Sequence, residues 1–228
     1  MTTIYAALDD RLLVVREEAA TWSANHRLPA TDLESVAASP AAPERAFVGT
    51  VEEGLQRSTD GGASWTVVGG FEERDERVTS LLVSPHDPAV VYAGTEPSRV
   101  YRSTDGGASW ERCASLTDLP SAARWSFPPR PDTHHVRWLA EAPDEAGRLY
   151  VAIEAGALVR SPDGGETWLP HPEGARRDNH TVATHPDEPE TVYVAAGDGY
   201  AESHDRGHTW EYPQAGLDHR YVWSVAVD

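Results

Sequence analysis

One aspartate recurs four times in the same short string. RSTDGGASW occurs at Arg57–Trp65 and again, unchanged, at Arg102–Trp110; RSPDGGETW follows at Arg160–Trp168 and ESHDRGHTW at Glu202–Trp210. Such a carboxylate can work as a base, a nucleophile or a ligand, or it can accept backbone N–H bonds and close a turn. A second population of chemically able residues has no fixed period. Acids stand at Asp9-Asp10, Glu52-Glu53, Glu96, Glu154 and Asp198, with Tyr200 close behind. Cationic clusters stand at His26-Arg27, Arg77, His134-His135-Val136-Arg137, Asp178-Asn179-His180 and His219-Arg220-Tyr221. Arginine and histidine with tyrosine suit the grip on a carboxylate or sugar acid, and carboxylates with histidine suit proton transfer or a metal ion. The candidate ligand-binding set is Arg77, His135, Arg137, Glu154, His180, Asp198, Tyr200, Arg220 and Tyr221.

Bulk composition narrows the partners. The 228 residues carry a net charge of -18, which argues against non-specific binding to nucleic acid or anionic lipid. All 19 basic residues are arginine. No stretch approaches the roughly 18 apolar residues of a membrane span. The opening MTTIYAALDDRLLVVREE has no basic leader, and Cys113 is the single cysteine, so a disulfide framework is excluded and a cytoplasmic protein is expected. Cys113 itself reads as a small buried or half-buried thiol.

The elements that must hold these residues show in the spacing of the string. Its serines, Ser58, Ser103, Ser161 and Ser203, are 45, 58 and 42 residues apart. Around each copy the order is an apolar run, a Pro-rich turn, a second apolar run, a short loop, a third strand, the string and a polar fourth strand. In the second copy these are Val78–Val83, Val90–Thr95, Val100–Ser103 and Ser109–Cys113. No helix with caps and a helical period is present. Four strands per unit at this period predict an all-β fold, a β-propeller of four-stranded antiparallel blades. Whole blades are expected at 31–70, 77–116, 134–174 and 178–218. A fifth would combine 3–28, as strands two to four, with strand one from 220–228, closing the ring and covering two sheet edges; otherwise the chain is an open fragment of a longer propeller.

Within a blade the repeated aspartate falls in a glycine-rich hairpin between strands three and four. One catalytic group per blade has no use, whereas one turn staple per blade does, so these aspartates are read as structural. The closing Trp65, Trp110, Trp168 and Trp210 offer apolar plates between neighbouring sheets. The string resembles the Asp box, and the chain is similar to the bacterial neuraminidase repeat (BNR) or Asp-box propellers, a set that includes sialidases, sortilin-type receptors and photosystem assembly factors.

Strand order places the Asp boxes and Pro turns on one face and the irregular acids and cations on the other, at the axial mouth where a propeller ligand usually sits. The long connection Ser121–His135 projects there too. The favoured reading is a non-catalytic ligand-binding or protein-assembly module. Its partner would be a small molecule, a sugar acid or a protein, with neither nucleic acid nor membrane. The alternative implied by the resemblance is a sialidase-like glycosidase. There His26-Arg27-Leu28-Pro29 would partly match the Phe/Tyr-Arg-Ile-Pro signature, Arg77, Arg137 and Arg220 would form the arginine triad, and Tyr200 or Tyr221 would pair with Glu154 or Glu202. A metal site drawn from His134, His135, His180, Glu154 and Asp198 has suitable ligand types but no HExxH-like spacing, so no metal and no cofactor are expected.

Overall fold

The computed structural model describes residues 2–29, 31–71 and 76–228. They form five antiparallel sheets of three or four strands. The first contains β1 (Thr3–Leu8), β2 (Arg11–Glu18) and β3 (Thr21–Arg27), and the second β4 (Leu33–Ala38), β5 (Ala46–Thr50), β6 (Leu55–Ser58) and β7 (Thr66–Val67). The third contains β8 (Arg77–Val83), β9 (Val91–Glu96), β10 (Val100–Ser103) and β11 (Glu111–Arg112). The fourth contains β12 (Val136–Glu141), β13 (Leu149–Ile153) and β14 (Ala157–Ser161), and the fifth β15 (Asn179–His185), β16 (Glu188–Ala196) and β17 (Gly199–Ser203). Consecutive strands pair in every sheet, which is the meander of a propeller blade. Two single-turn 3-10 helices, Leu116–Asp118 and Ala122–Arg124, are the helical elements among the described residues, and no helix is long and apolar enough to cross a membrane.

The chain divides into two compact units, Met1–Thr95 with Tyr101–Arg112, and Glu96–Val100 with Cys113–Asp228. In the first, Leu12, Val14 and Val48 pack with Trp65, and Phe47, Leu55, Val78 and Tyr101 pack with Trp110. In the second, Tyr150, Leu158, Val182, Val192 and Val194 pack with Trp210. Inner strands such as β5 (AFVGT) and β13 (LYVAI) are buried along their whole length because both faces meet other side chains. Each fully buried Val, Leu or Phe there contributes roughly 1.5–3 kcal/mol.

The four Asp boxes share one hydrogen-bond pattern. The serine hydroxyl donates to Oδ1 of the aspartate at 2.8 to 2.9 Å. Backbone N–H groups of Ser64, Ser109, Thr167 and Thr209 donate to that same oxygen, and their hydroxyls donate to Oδ2 at 2.6 Å. The glycine two residues past each aspartate donates its N–H to the serine Oγ at 2.8 Å in all four. These glycines, Gly62, Gly107, Gly165 and Gly207, have φ from +80° to +91°, which favours a residue without Cβ. A Cβ there would also strike a neighbour: Tyr5 at 2.8 Å for Gly62, Phe47 at 2.3 Å for Gly107, and Cys113 Sγ at 2.6 Å for Gly165. The half-buried Cys113 thus fills the space under a turn. Of the box tryptophans, Trp168 donates its indole N–H to the Ala114 carbonyl at 2.7 Å. The indole N–H groups of Trp65, Trp110 and Trp210 are buried without a hydrogen-bond partner among the described residues.

Two strand expectations need correction. In the four blades expected to be whole the fourth strand is shorter than expected: two residues in β7 and β11, and in the last two sheets only the single bridges Arg160↔Leu169 and Glu202↔Glu211. The C-terminal Tyr221–Asp228 forms no strand, and the first sheet holds three. Side chains of β15 take up its carbonyls instead: His180 Nδ1 lies 2.9 Å from the Val222 oxygen, and Thr181 Oγ1 donates to the Trp223 oxygen at 3.1 Å. The Val222 N–H donates to the Ala196 carbonyl at 3.0 Å, so the segment is anchored beside β15 and β16.

Candidate functional site

Strand register separates two ends of the second unit. Ile153 pairs with Ala157 while Leu149 pairs with Ser161, so Glu154 stands at one end of its sheet and Asp163 at the other. Asn179 pairs with Ala196 and Val192 with Ser203, which puts His180 at the end remote from Asp205. The candidate site occupies the end opposite the Asp boxes.

Bulges aim two of its side chains. The register of β12 on β13 shifts between Val136 and Trp138, and that of β15 on β16 between Asn179 and Thr181. The extra residues are Arg137 and His180. An unpaired residue at a strand entrance is turned out of the alternation of the ladder, a device common next to sites. Glu154, at the end of β13, receives both. His135 Nε2 lies 3.0 Å and Arg137 Nε 3.3 Å from Glu154 Oε2, and His180 Nε2 lies 4.0 Å from Oε1. Burial would raise the Glu154 pKa, but the His135 hydrogen bond and the charges of His135, Arg137 and His180 outweigh it and hold the carboxyl below its ordinary value.

Asp178 completes the group, with Oδ1 at 3.8 Å from His180 Nε2 and accepting the Ala155 N–H at 3.2 Å. Its pKa is raised, first by burial and then by the charges of Glu154 and Asp198, against the opposing effects of His180 and the Ala155 N–H. Gly197 makes room for this side chain, because a Cβ there would lie 1.9 Å from Asp178 Oδ2. On the other flank Glu96 is gripped by Arg130 at 2.8 and 2.6 Å and faces His135 Nδ1 at 3.9 Å. Phe127 packs edge-on against His135 at 4.6 Å, and the Arg130 guanidinium lies over the Phe127 ring at 4.7 Å. Nitrogen groups and carboxylates therefore alternate from Arg130 through Glu96, His135 and Glu154 to His180 and Asp178.

The C-terminal segment supplies an aromatic surface. Trp223 stacks on the His180 ring at 4.6 Å, Tyr221 approaches it at 5.1 Å, and the two meet each other at 5.3 Å. Their outer faces are open, with Tyr221 52% and Trp223 59% exposed, while His180 is 1% exposed. The Tyr221 pKa is raised, by burial first and then by Asp178 and Glu154.

Of the residues singled out in the sequence, His135, Arg137, Glu154, His180 and Tyr221 come together here. Asp198 is exposed between β16 and β17, close enough for its charge to reach Asp178. Tyr200 lies outside the cluster and donates its hydroxyl to Glu202 at 2.7 Å; Arg220 is exposed. Arg77 belongs to the first unit, where it pairs with Glu34 at 3.0 Å. Arg27 donates to the His26 carbonyl at 2.9 Å. His134 accepts the Ser98 N–H at 3.4 Å, and burial lowers its pKa. The candidate ligand-binding set left out Trp223, Phe127 and Arg130, the last two on the Ser121–His135 connection expected at this end. The connection that carries the last two is held by Trp125, buried and set edge-on to His134 at 5.5 Å.

The sequence profile of the BNR/Asp-box repeat matches residues 101–112. No curated protein matches the chain. Among solved structures, the chain is similar to an ancestral GH74 enzyme, with a TM-score of 0.68 and 19% identity over 96% of this chain and 30% of that one. It is similar to the GH74 xyloglucanase from Xanthomonas campestris, with a TM-score of 0.60 and 21% identity over 81% of this chain and 30% of that one. YCF48 bound to D1 peptide has a TM-score of 0.57 and 18% identity, covering 82% of this chain and 56% of that one. The chain thus spans under two thirds of the length of each.

Proposed function

We propose that this BNR/Asp-box β-propeller is a non-catalytic binding module that takes a saccharide or sugar acid at the end of its second unit opposite the Asp boxes. The observation that carries this reading is the open Tyr221–Trp223 pair beside a carboxylate already held by His135 and Arg137. A catalytic carboxylate needs an oxygen within reach of the substrate. Both His135 and Arg137 sit on Glu154 Oε2, and the Glu154 side chain is only 12% exposed. What faces solvent is the aromatic pair, with Asp178 at 34% and Arg137 at 33% side-chain exposure. An aromatic face accepts the C–H face of a sugar ring, an acid accepts its hydroxyls, and a guanidinium holds a carboxylate. The likeness to a xyloglucanase agrees with a glycan ligand.

Calorimetry of the chain against a panel of neutral oligosaccharides, uronic acids and sialic acids tests it. Binding of at least one of them is expected, weakened by about tenfold in Tyr221→Ala and Trp223→Ala, a loss of about 1.4 kcal/mol. No binding across the panel, or binding indifferent to both substitutions, contradicts it.

One observation favours hydrolysis as a second reading. Glu154 and Asp178 present oxygens within 4.8 Å of each other, and their pKa values are pushed in opposite directions. Paired acids with separated pKa values are the mark of a glycosidase, whose retaining forms hold them about 5 Å apart. That reading requires turnover of fluorogenic glycosides that Asp178→Asn abolishes.

A further inference from the structure

We propose that His180, Glu154 and Asp178 form a binding site for a first-row divalent cation, zinc or manganese, behind the exposed aromatic pair. The proposal stands independently of what Tyr221 and Trp223 bind. One ligand atom from each of the three residues lies within 4.8 Å of the others. The acids alone would carry no weight; the orphaned histidine nitrogen does. The His180 side chain is fully buried, and its Nδ1 faces the Val222 carbonyl at 2.9 Å, where only an N–H makes a bond. That fixes the tautomer and leaves a lone pair on Nε2. Nε2 is buried, has no hydrogen-bond partner among the described residues, and points between Glu154 Oε1 at 4.0 Å and Asp178 Oδ1 at 3.8 Å.

The surroundings match what a bound cation requires. A histidine ligand commonly donates its other N–H to a carbonyl, as Nδ1 does here. Glu154 keeps Oε1 toward the cluster while His135 holds Oε2. Asp178 is partly exposed, which gives an entry path and leaves coordination positions for water. Bonds of about 2.0–2.2 Å set donors about 3.4 Å apart, so the 4.0 and 3.8 Å separations from His180 Nε2 need close by only some tenths of an ångström. One imidazole with two carboxylates and no thiolate selects zinc or manganese over the purely oxygen-ligated cations. Arg137, 3.3 Å from Glu154 Oε2, repels the ion from the far side of that carboxylate.

Full-length chain stripped with chelator and titrated calorimetrically with zinc or manganese chloride tests the site. One equivalent is expected, weakened by about tenfold or more in Asp178→Asn, a half-exposed position whose change leaves the fold intact where a His180 variant does not. Arg137→Gln should tighten metal binding several-fold by removing the repulsion, although the saccharide reading has it weaken ligand binding. Zinc should also alter the emission of Trp223 through its stacked partner His180, and Trp223→Phe should keep the stoichiometry but lose the signal. Half-buried Glu202 with exposed His204 and Glu211 serves as a control, and Glu211→Gln should change nothing. No binding of either metal, equal binding by wild type and Asp178→Asn, or loss of binding in Glu211→Gln overturns the proposal. Metal binding retained in Tyr221→Ala, with saccharide binding lost, separates the two claims.

Discussion

Asp205 shows how a repeated carboxylate contributes to the fold. Burial alone would raise its pKa, but bonds from Thr209, Ser203 and the His208 N–H bring it to about 2. The unfolded value is about 3.9. A depressed folded pKa means stability that is complete above the unfolded value and is lost as pH falls through the folded one. Asp60, Asp105 and Asp163 are depressed by the same kind of bonds. Urea unfolding should therefore show stability falling between about pH 4 and pH 2. Asp163→Ala, which removes acceptors for the Thr167 N–H and hydroxyl, should cost about 1 kcal/mol at pH 7 and less at pH 2.5. A difference that grows on acidification would contradict the assignment. These aspartates were legible in the sequence because a turn that needs Ser, Asp and Gly at fixed offsets writes itself as a string. Asp178 was not equally legible. Its role depends on Gly197 and on the neighbouring strand, and no local spacing records either.

At the scale of elements, one recurrent device is the bulge at a strand entrance. Besides Arg137 and His180 it occurs in β4, where the register shifts between Leu33 and Ser35 and leaves Glu34 to pair with Arg77. Strand identity and order were readable from apolar runs and Pro or Gly boundaries; β10 is Val100–Ser103 in both readings. The bulges were not, because a one-residue shift belongs to a pairing between two strands. The failed C-terminal strand has a similar cause, since YVWSVAV alternates like a strand but His180 and Thr181 capture its carbonyls. Turn and sheet also interlock. Gly107→Ala combines a φ of +80° with a Cβ at 2.3 Å from Phe47 Cε1, so it should destabilise by roughly 2–4 kcal/mol in urea titration. A change below about 0.5 kcal/mol would mean that the turn is not wedged against its neighbour.

For the whole molecule the net charge of -18 sets the solution behaviour. Excess negative charge repels itself, and salt screens that repulsion. Raising sodium chloride from about 20 to 500 mM should raise Tm by a few degrees, while a fall would show that paired charges such as Arg130 with Glu96 outweigh the repulsion. Mild acidification relieves the same repulsion before the Asp boxes protonate, which places the stability maximum above about pH 4. Within the second unit the division of labour is spatial: turns that brace the sheets stand at one end, and the groups proposed to recognise a ligand stand at the other. Hydrogen–deuterium exchange of the chain, with and without the oligosaccharide that binds best, tests this division most directly. The account predicts slower exchange at 153–156, 178–181 and 221–223, with 160–168 and 202–210 unchanged. Protection confined to those Asp boxes, or no protection by any saccharide of the panel, would contradict it.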